Sequence, residues 1–162
     1  MRISLSKALR KLGYIDECKL YSEINSYSQQ TYNENFPETK LIEDIKSIDK
    51  KDIDQMIPDH DILLAGFPCQ PFSRAGISKR KNLKRAYGFE DKDQGDLFFN
   101  ILDILNTKKP NAFVLENVQN LKNHQGGKLL NKILKELRKN YYVPEPQVLD
   151  AQNFGLAQRR KR

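Results

Sequence analysis

Short apolar runs alternate with stretches of helical apolar spacing along almost the whole chain, an ordering that leaves few folds open. Leu5, Ala8, Leu9 and Leu12 recur every three to four positions before Gly13, which predicts a helix over 4–12 with Ser4 near its N-cap. A strand is expected at 18–22, then a helix over 26–35 closed by Pro37. The continuous apolar run at 61–65 reads as a buried strand, and Pro68 and Pro71 make the next segment a loop. A helix over 97–105 follows, with Leu97, Ile101, Leu102 and Leu105 on one face, and then a strand at 112–115. A helix over 127–139 carrying Leu130, Ile133, Leu134 and Leu137, and a short strand at 147–149, complete the pattern. Strands separated by helices at this spacing favour right-handed βαβ units. The expected fold class is therefore α/β, a doubly wound and mostly parallel sheet in one domain over 1–162. Such sheets take ligands at the carboxyl ends of their strands, where this chain places Pro68-Cys-Gln70 and Glu116-Asn-Val118.

Several function classes drop out. No apolar run approaches the ~20 residues that span a bilayer. The first residues lack the apolar region and small-residue cleavage site of a secretory signal, so a cytoplasmic protein with no membrane partner is expected. Two cysteines and two histidines, without ligand spacing, predict neither a disulfide framework nor a metal site. Lys and Arg number 28 against 21 Asp and Glu, a net charge of +7. That balance suits a polyanion such as DNA, and equally reflects a lysine-rich composition. The basic run at 78–85 reads either as a solvated loop or as a phosphate contact that releases counterions.

Two residues stand out chemically. A cysteine attacks carbon as a thiolate and needs an exposed turn with something to lower its pKa. Cys69, between two prolines, sits in such a turn, whereas Cys18 within the expected strand reads as a small apolar residue. Glu116 follows four apolar residues at the mouth of the sheet, where burial would raise its pKa and let it hold a proton near neutrality; capping the next helix or facing solvent is the other reading. Without a usable histidine base, Cys69 and Glu116 do not resemble a thiol hydrolase.

Three strings, in this order and spacing, narrow the choice: Gly66-Phe-Pro-Cys-Gln-Pro-Phe-Ser73, Glu116-Asn117-Val118 at a strand end, and Gln158-Arg-Arg-Lys-Arg162. Together they resemble signature blocks of the DNA cytosine-5 methyltransferases. The likeness extends to Tyr21-Ser-Glu-Ile24, Glu43-Asp-Ile45, and Gly88-Phe-Glu-Asp91 through Leu97-Phe-Phe99, so it covers essentially the whole chain. The resemblance implies a Rossmann-like fold that binds S-adenosylmethionine and acts on double-stranded DNA, with the target cytosine flipped out of the stack. It implies that Cys69 adds to C6 of the cytosine and that Glu116 contacts N3 and the exocyclic amine. Arg160 and Arg162 would help hold the base and phosphates, and Gln70, Asn117 and Gln158 would support them. For the cofactor it implies Glu23 on the ribose hydroxyls, Ile24 beside it, Asp44 and Ile45 at the adenine, and Pro68 and Leu97 packed nearby.

The chain also departs from the family pattern. The family's opening glycine-rich turn would be ending where Met1-Arg-Ile-Ser-Leu-Ser6 begins, and the sequence stops at Arg162, before the target-recognition region. Gln94-Gly95 stands where the family has an arginine before the glycine, and Glu43 where it has glycine. The expectation is a fragment, inactive alone. Two readings stay open: a cytosine-5 methyltransferase of a restriction-modification system, and a non-catalytic DNA-binding remnant or one subunit of a split enzyme whose second polypeptide carries the missing blocks.

Overall fold

The structure is a computed structural model, and it describes residues 1–67 and 97–162. The described residues fall into two compact units, one made of Met1–Leu64 with Asp103–Val114, the other of Ala65–Leu102 with Leu115–Arg162.

In the first unit, helix α1 (Arg2–Lys11) leads to strand β1 (Leu20–Ser22), helix α2 (Ser26–Asn35) and strand β2 (Lys40–Ile42). β1 and β2 pair in parallel with Tyr21 opposite Leu41, as the βαβ pattern requires. α2 has the expected bounds because the Asn25 side chain accepts the Ser28 amide at its N-terminus, satisfying a donor the helix cannot. α1 departs from expectation. It starts at Arg2, not Ser4, and buries no residue; Leu12 is exposed. Arg2 accounts for the earlier start, since its guanidinium reaches the Tyr32 hydroxyl at 2.6 Å and the Thr39 hydroxyl at 3.0 Å and lies 3.8 Å over the Phe36 ring. Tyr32 stacks on Tyr21 in turn. Cys18 is only half-buried, and its thiol lies 3.5 Å from both the Leu20 carbonyl and the Tyr32 hydroxyl.

The core of this unit is a cluster of Ile48, Ile53, Ile57 and Ile104, into which the short helix α3 (Ile53–Met56) brings Ile53, with Ile42, Ile45 and Leu63 packed against it. Its rim carries Lys108, whose side chain is only 5% exposed and whose ammonium reaches Asp54 and Asp59 at 2.9 Å each. The two carboxylates hold the Lys108 ammonium above its ordinary range, and Lys108 pulls Asp59 below the usual carboxylate range.

Strand β3 (Ile62–Gly66) and strand β4 (Ala112–Glu116) form the second sheet, and helix α4 (Leu97–Lys108) lies between them in sequence. The α/β order therefore stands, but β3 is not the buried strand its apolar run predicts: Ile62 to Ala65 are half-buried and Gly66 is exposed, because a two-stranded sheet leaves part of its surface uncovered. The buried face of α4 is centred on Phe98, Ile101, Leu102 and Leu105; Leu97, expected on that face, is half-buried. In the second unit, helix α5 (Lys128–Leu137) buries Leu129, Ile133, Leu134 and Leu137. Leu129 takes the inner place expected for Leu130, because α5 begins after three left-handed residues, Gln125, Gly126 and Gly127.

The short strand expected at 147–149 is absent. The backbone of Leu149 instead exchanges hydrogen bonds with Arg162 (2.8 and 2.9 Å), and Ala151 donates to Arg160 at 2.9 Å. This is a local antiparallel pairing, with an isolated bridge between Asp150 and Lys161. The turn that closes it ends at Gly155, whose φ of 84° is a left-handed conformation natural to glycine. No described helix is long and apolar enough to cross a membrane.

Candidate active site

Three sequence segments meet in the second unit. β4 delivers Glu116 at its carboxyl end, half-exposed. The antiparallel pairing of the final residues brings Arg162 to it, and the Arg162 Nε donates to Glu116 Oε1 at 2.7 Å. Neither member is fully buried, with side chains 31% and 37% exposed for Arg162 and Glu116, so the pair keeps part of its hydration. Asn117, the next residue, is tied on both sides of its amide. Its Oδ1 accepts the Val118 amide at 2.9 Å, and its Nδ2 donates to the Phe67 carbonyl at 3.4 Å. Phe67 is the last described residue before the cysteine segment, two positions ahead of Cys69. It is buried and leans on Phe98 with ring centroids 6.0 Å apart, and Phe98 meets Phe99 edge-on. The carbonyl that Asn117 holds therefore belongs to a residue anchored in apolar packing.

Arg160 and Gln158 lie on the exposed side of the antiparallel pairing. The Arg160 amide donates to Asp150 Oδ1 at 3.0 Å. Cys69, Pro68 and Gln70 lie outside the described residues, as do the basic run at 78–85 and Gln94-Gly95. Leu97 opens α4 in this unit.

The remaining predicted site residues belong to the first unit. Parallel pairing of Ser22 with Ile42 puts Glu23 and Ile24 just beyond the carboxyl end of β1, and Asp44 and Ile45 two and three residues beyond that of β2. All four thus sit at one end of the pair, where parallel sheets take ligands. Glu23 Oε1 accepts the Asn25 amide at 2.9 Å, and Asp44 Oδ1 accepts the Lys46 amide at 2.9 Å. Each carboxylate keeps a second oxygen beyond its local turn bond. Ile24 is 74% exposed, while Ile45 packs partly on the isoleucine cluster. A carboxylate that accepts from hydroxyls, beside exposed apolar surface at parallel strand ends, has the chemistry for a nucleoside, so these residues fit the cofactor that the resemblance implies.

Sequence reasoning missed Asp150, which is buried and bonds across to Arg160. Its local bond to the Gln152 amide, a common turn device, was visible in Asp-Ala-Gln; the reach to residue 160 was not. Phe67 was missed for the same reason.

Comparison with known proteins places the chain in a family. A methyltransferase of Neisseria gonorrhoeae, the type II methyltransferase M.NgoBI, is 48% identical over 87% of this chain and 40% of its own length. The DNA-cytosine methyltransferase of Escherichia coli K12 is 40% identical over 90% of this chain and 36% of its own. The chain thus spans about two-fifths of the curated relatives it matches. Among solved structures, the Entamoeba histolytica methyltransferase EhMeth superposes with a TM-score of 0.66 at 22% identity, covering 91% of this chain and 43% of that one. The Schizosaccharomyces pombe Dnmt2 methyltransferase gives 0.63 at 22%, covering 97% and 43%. At these identities the structural likeness speaks to the fold, which is that of methyltransferases. The family model for C-5 cytosine-specific DNA methylases matches residues 3–162, and the chain belongs to that family.

Proposed function

We propose that the chain supplies the catalytic core of a DNA cytosine-5 methyltransferase of a restriction-modification system, transferring a methyl group from S-adenosylmethionine to C5 of a flipped cytosine. The observation that carries this reading is the convergence of Glu116, Arg162 and the Asn117-held Phe67 carbonyl in one unit, which joins the three sequence blocks.

In this mechanism the Cys69 thiolate adds to C6 of the cytosine, opening the C5=C6 double bond and making C5 nucleophilic. Glu116 contacts N3 and the exocyclic amine, stabilising the ring as it becomes nucleophilic at C5. Arg162, already bonded to Glu116, and Arg160 offer fixed planar donors to the base and to phosphate. Asn117 acts at one remove, holding the chain that enters the cysteine segment. C5 then takes the methyl group, loses its proton to base, and expels the Cys69 thiolate as the double bond re-forms. In the first unit Glu23 would accept from ribose hydroxyls, and Ile24, Asp44 and Ile45 would meet the adenine. The cofactor supplies an electrophilic methyl on a sulfonium.

A second reading, one subunit of a split enzyme, is supported by β4, where Ala112 and Val114, alternate residues on one face of the strand, are both exposed. Labelled S-adenosylmethionine and double-stranded DNA test both. We expect no transfer by the chain alone and transfer once a polypeptide carrying the remaining family blocks is added. Cys69→Ser should abolish transfer, and DNA containing 5-fluorocytosine should trap a covalent adduct at Cys69. An adduct of equal yield on the serine variant would remove Cys69 from its role.

A further inference from the structure

Asp150 is 6% exposed, one of the few charged residues buried among the described ones. Burying a carboxylate is costly unless its oxygens are bonded, and this one is bonded on one side only. Oδ1 accepts two backbone amides, Gln152 at 3.4 Å in its own turn and Arg160 at 3.0 Å across the pairing. Oδ2 is buried and has no hydrogen-bond partner among the described residues. For turn formation alone an exposed Asp or Asn would serve equally well. Keeping the charge buried, with its cross-strand bond aimed at the arginine segment, indicates a second task.

The geometry points to that task. The segment from Arg160 to Arg162 is short and has no buried residue, yet it must deliver Arg162 to within 2.7 Å of Glu116. Its backbone is held by Leu149 and Ala151 on either side of Asp150, and the Asp150 carboxylate closes the remaining Arg160 amide. We infer that Asp150 is a positioning residue: from behind the arginine segment it fixes the backbone that sets the reach of Arg162 to Glu116. This rests on the reading of Glu116 and Arg162 as site residues, but the bond it controls can be observed without any reaction.

The test is the solvent exchange of the Arg162 Nε–H, followed by nitrogen-15 NMR on the full chain. That proton is protected by its bond to Glu116, and Glu116→Gln sets the level of a weakened partner. Asp150→Ala should raise the exchange rate about five- to tenfold, toward that level, since one net hydrogen bond is worth at most about a factor of ten. Asp150→Asn keeps an Oδ1 acceptor and should stay within about twofold of the parent. Unchanged Arg162 protection in a folded Asp150→Ala variant would overturn the inference. So would unfolding of both variants, which would make Asp150 a purely structural residue. Absence of methyl transfer leaves this readout untouched, so failure of the enzymatic reading and failure of the positioning role are separately visible.

Discussion

Consider a double-mutant cycle on Glu116 and Arg162, built from Glu116→Gln, Arg162→Gln and the pair. At 2.7 Å two unit charges in bulk water attract by about 1.5 kcal/mol, and far more in a dry interior. With both side chains about a third exposed, the value should sit near the water limit, reduced by the entropy of holding two flexible groups and by salt. A coupling of about 1 kcal/mol is expected, and either single variant should lower Tm by roughly 2–4 °C. Urea unfolding at 0.15 M and 1 M salt measures it, and raising the salt should roughly halve the coupling. A coupling above about 3 kcal/mol, insensitive to salt, would refute the reasoning, because it would describe a buried pair that no ligand could cheaply exchange. The modest value matters for function. A Glu116 held this loosely can trade its arginine bond for a base edge without a large penalty, whereas a locked pair could not.

Other outcomes follow from the packing and backbone conformation of the same chain. Phe98→Ala, at a ring only 1% exposed, should cost about 3–5 kcal/mol of unfolding free energy measured by urea titration, whereas Phe98→Leu should cost about half as much. Gly155→Ala has open space for its methyl group but a φ of 84°, so it should cost about 1–2 kcal/mol through backbone strain alone, and Gly155→Asn should recover part of that loss. Burial lowers the pKa of His124, so the unfolded chain binds its proton first as pH falls. The His124 contribution is complete above about pH 6.5 and is lost below it; His124→Gln should flatten that limb of the pH–stability curve.

Much of this was legible because local signals agreed with tertiary demands. α2 begins and ends where expected, since Asn25 supplies its cap and Pro37 its stop. The strand leading to the cysteine segment and the one ending at Glu116 were visible as apolar runs. α1 was misjudged because apolar spacing registers only amphipathicity, while a cation on aromatic rings at Arg2 set where the helix starts. The terminal pairing was missed because it depends on Asp150 reaching ten residues along the chain, a contact with no periodic trace. The pairing of Glu116 with Arg162 joins residues 46 positions apart and leaves no trace in their local sequence, although each stands in a recognisable block.

The first unit is discontinuous, and that bears on how the chain is made. Its isoleucine cluster needs Ile104, and its buried ammonium is Lys108, yet the unit's opening stretch ends at Leu64. A ribosome adding roughly 5–20 residues per second takes several seconds to cover the about 40 residues between them. Through that interval Ile48, Ile53 and Ile57 are nascent apolar surface awaiting their partner, and the chain is open to chaperones or to association with its neighbours. Codon usage across 65–103 should therefore govern the soluble yield more than substitutions on the finished surface do.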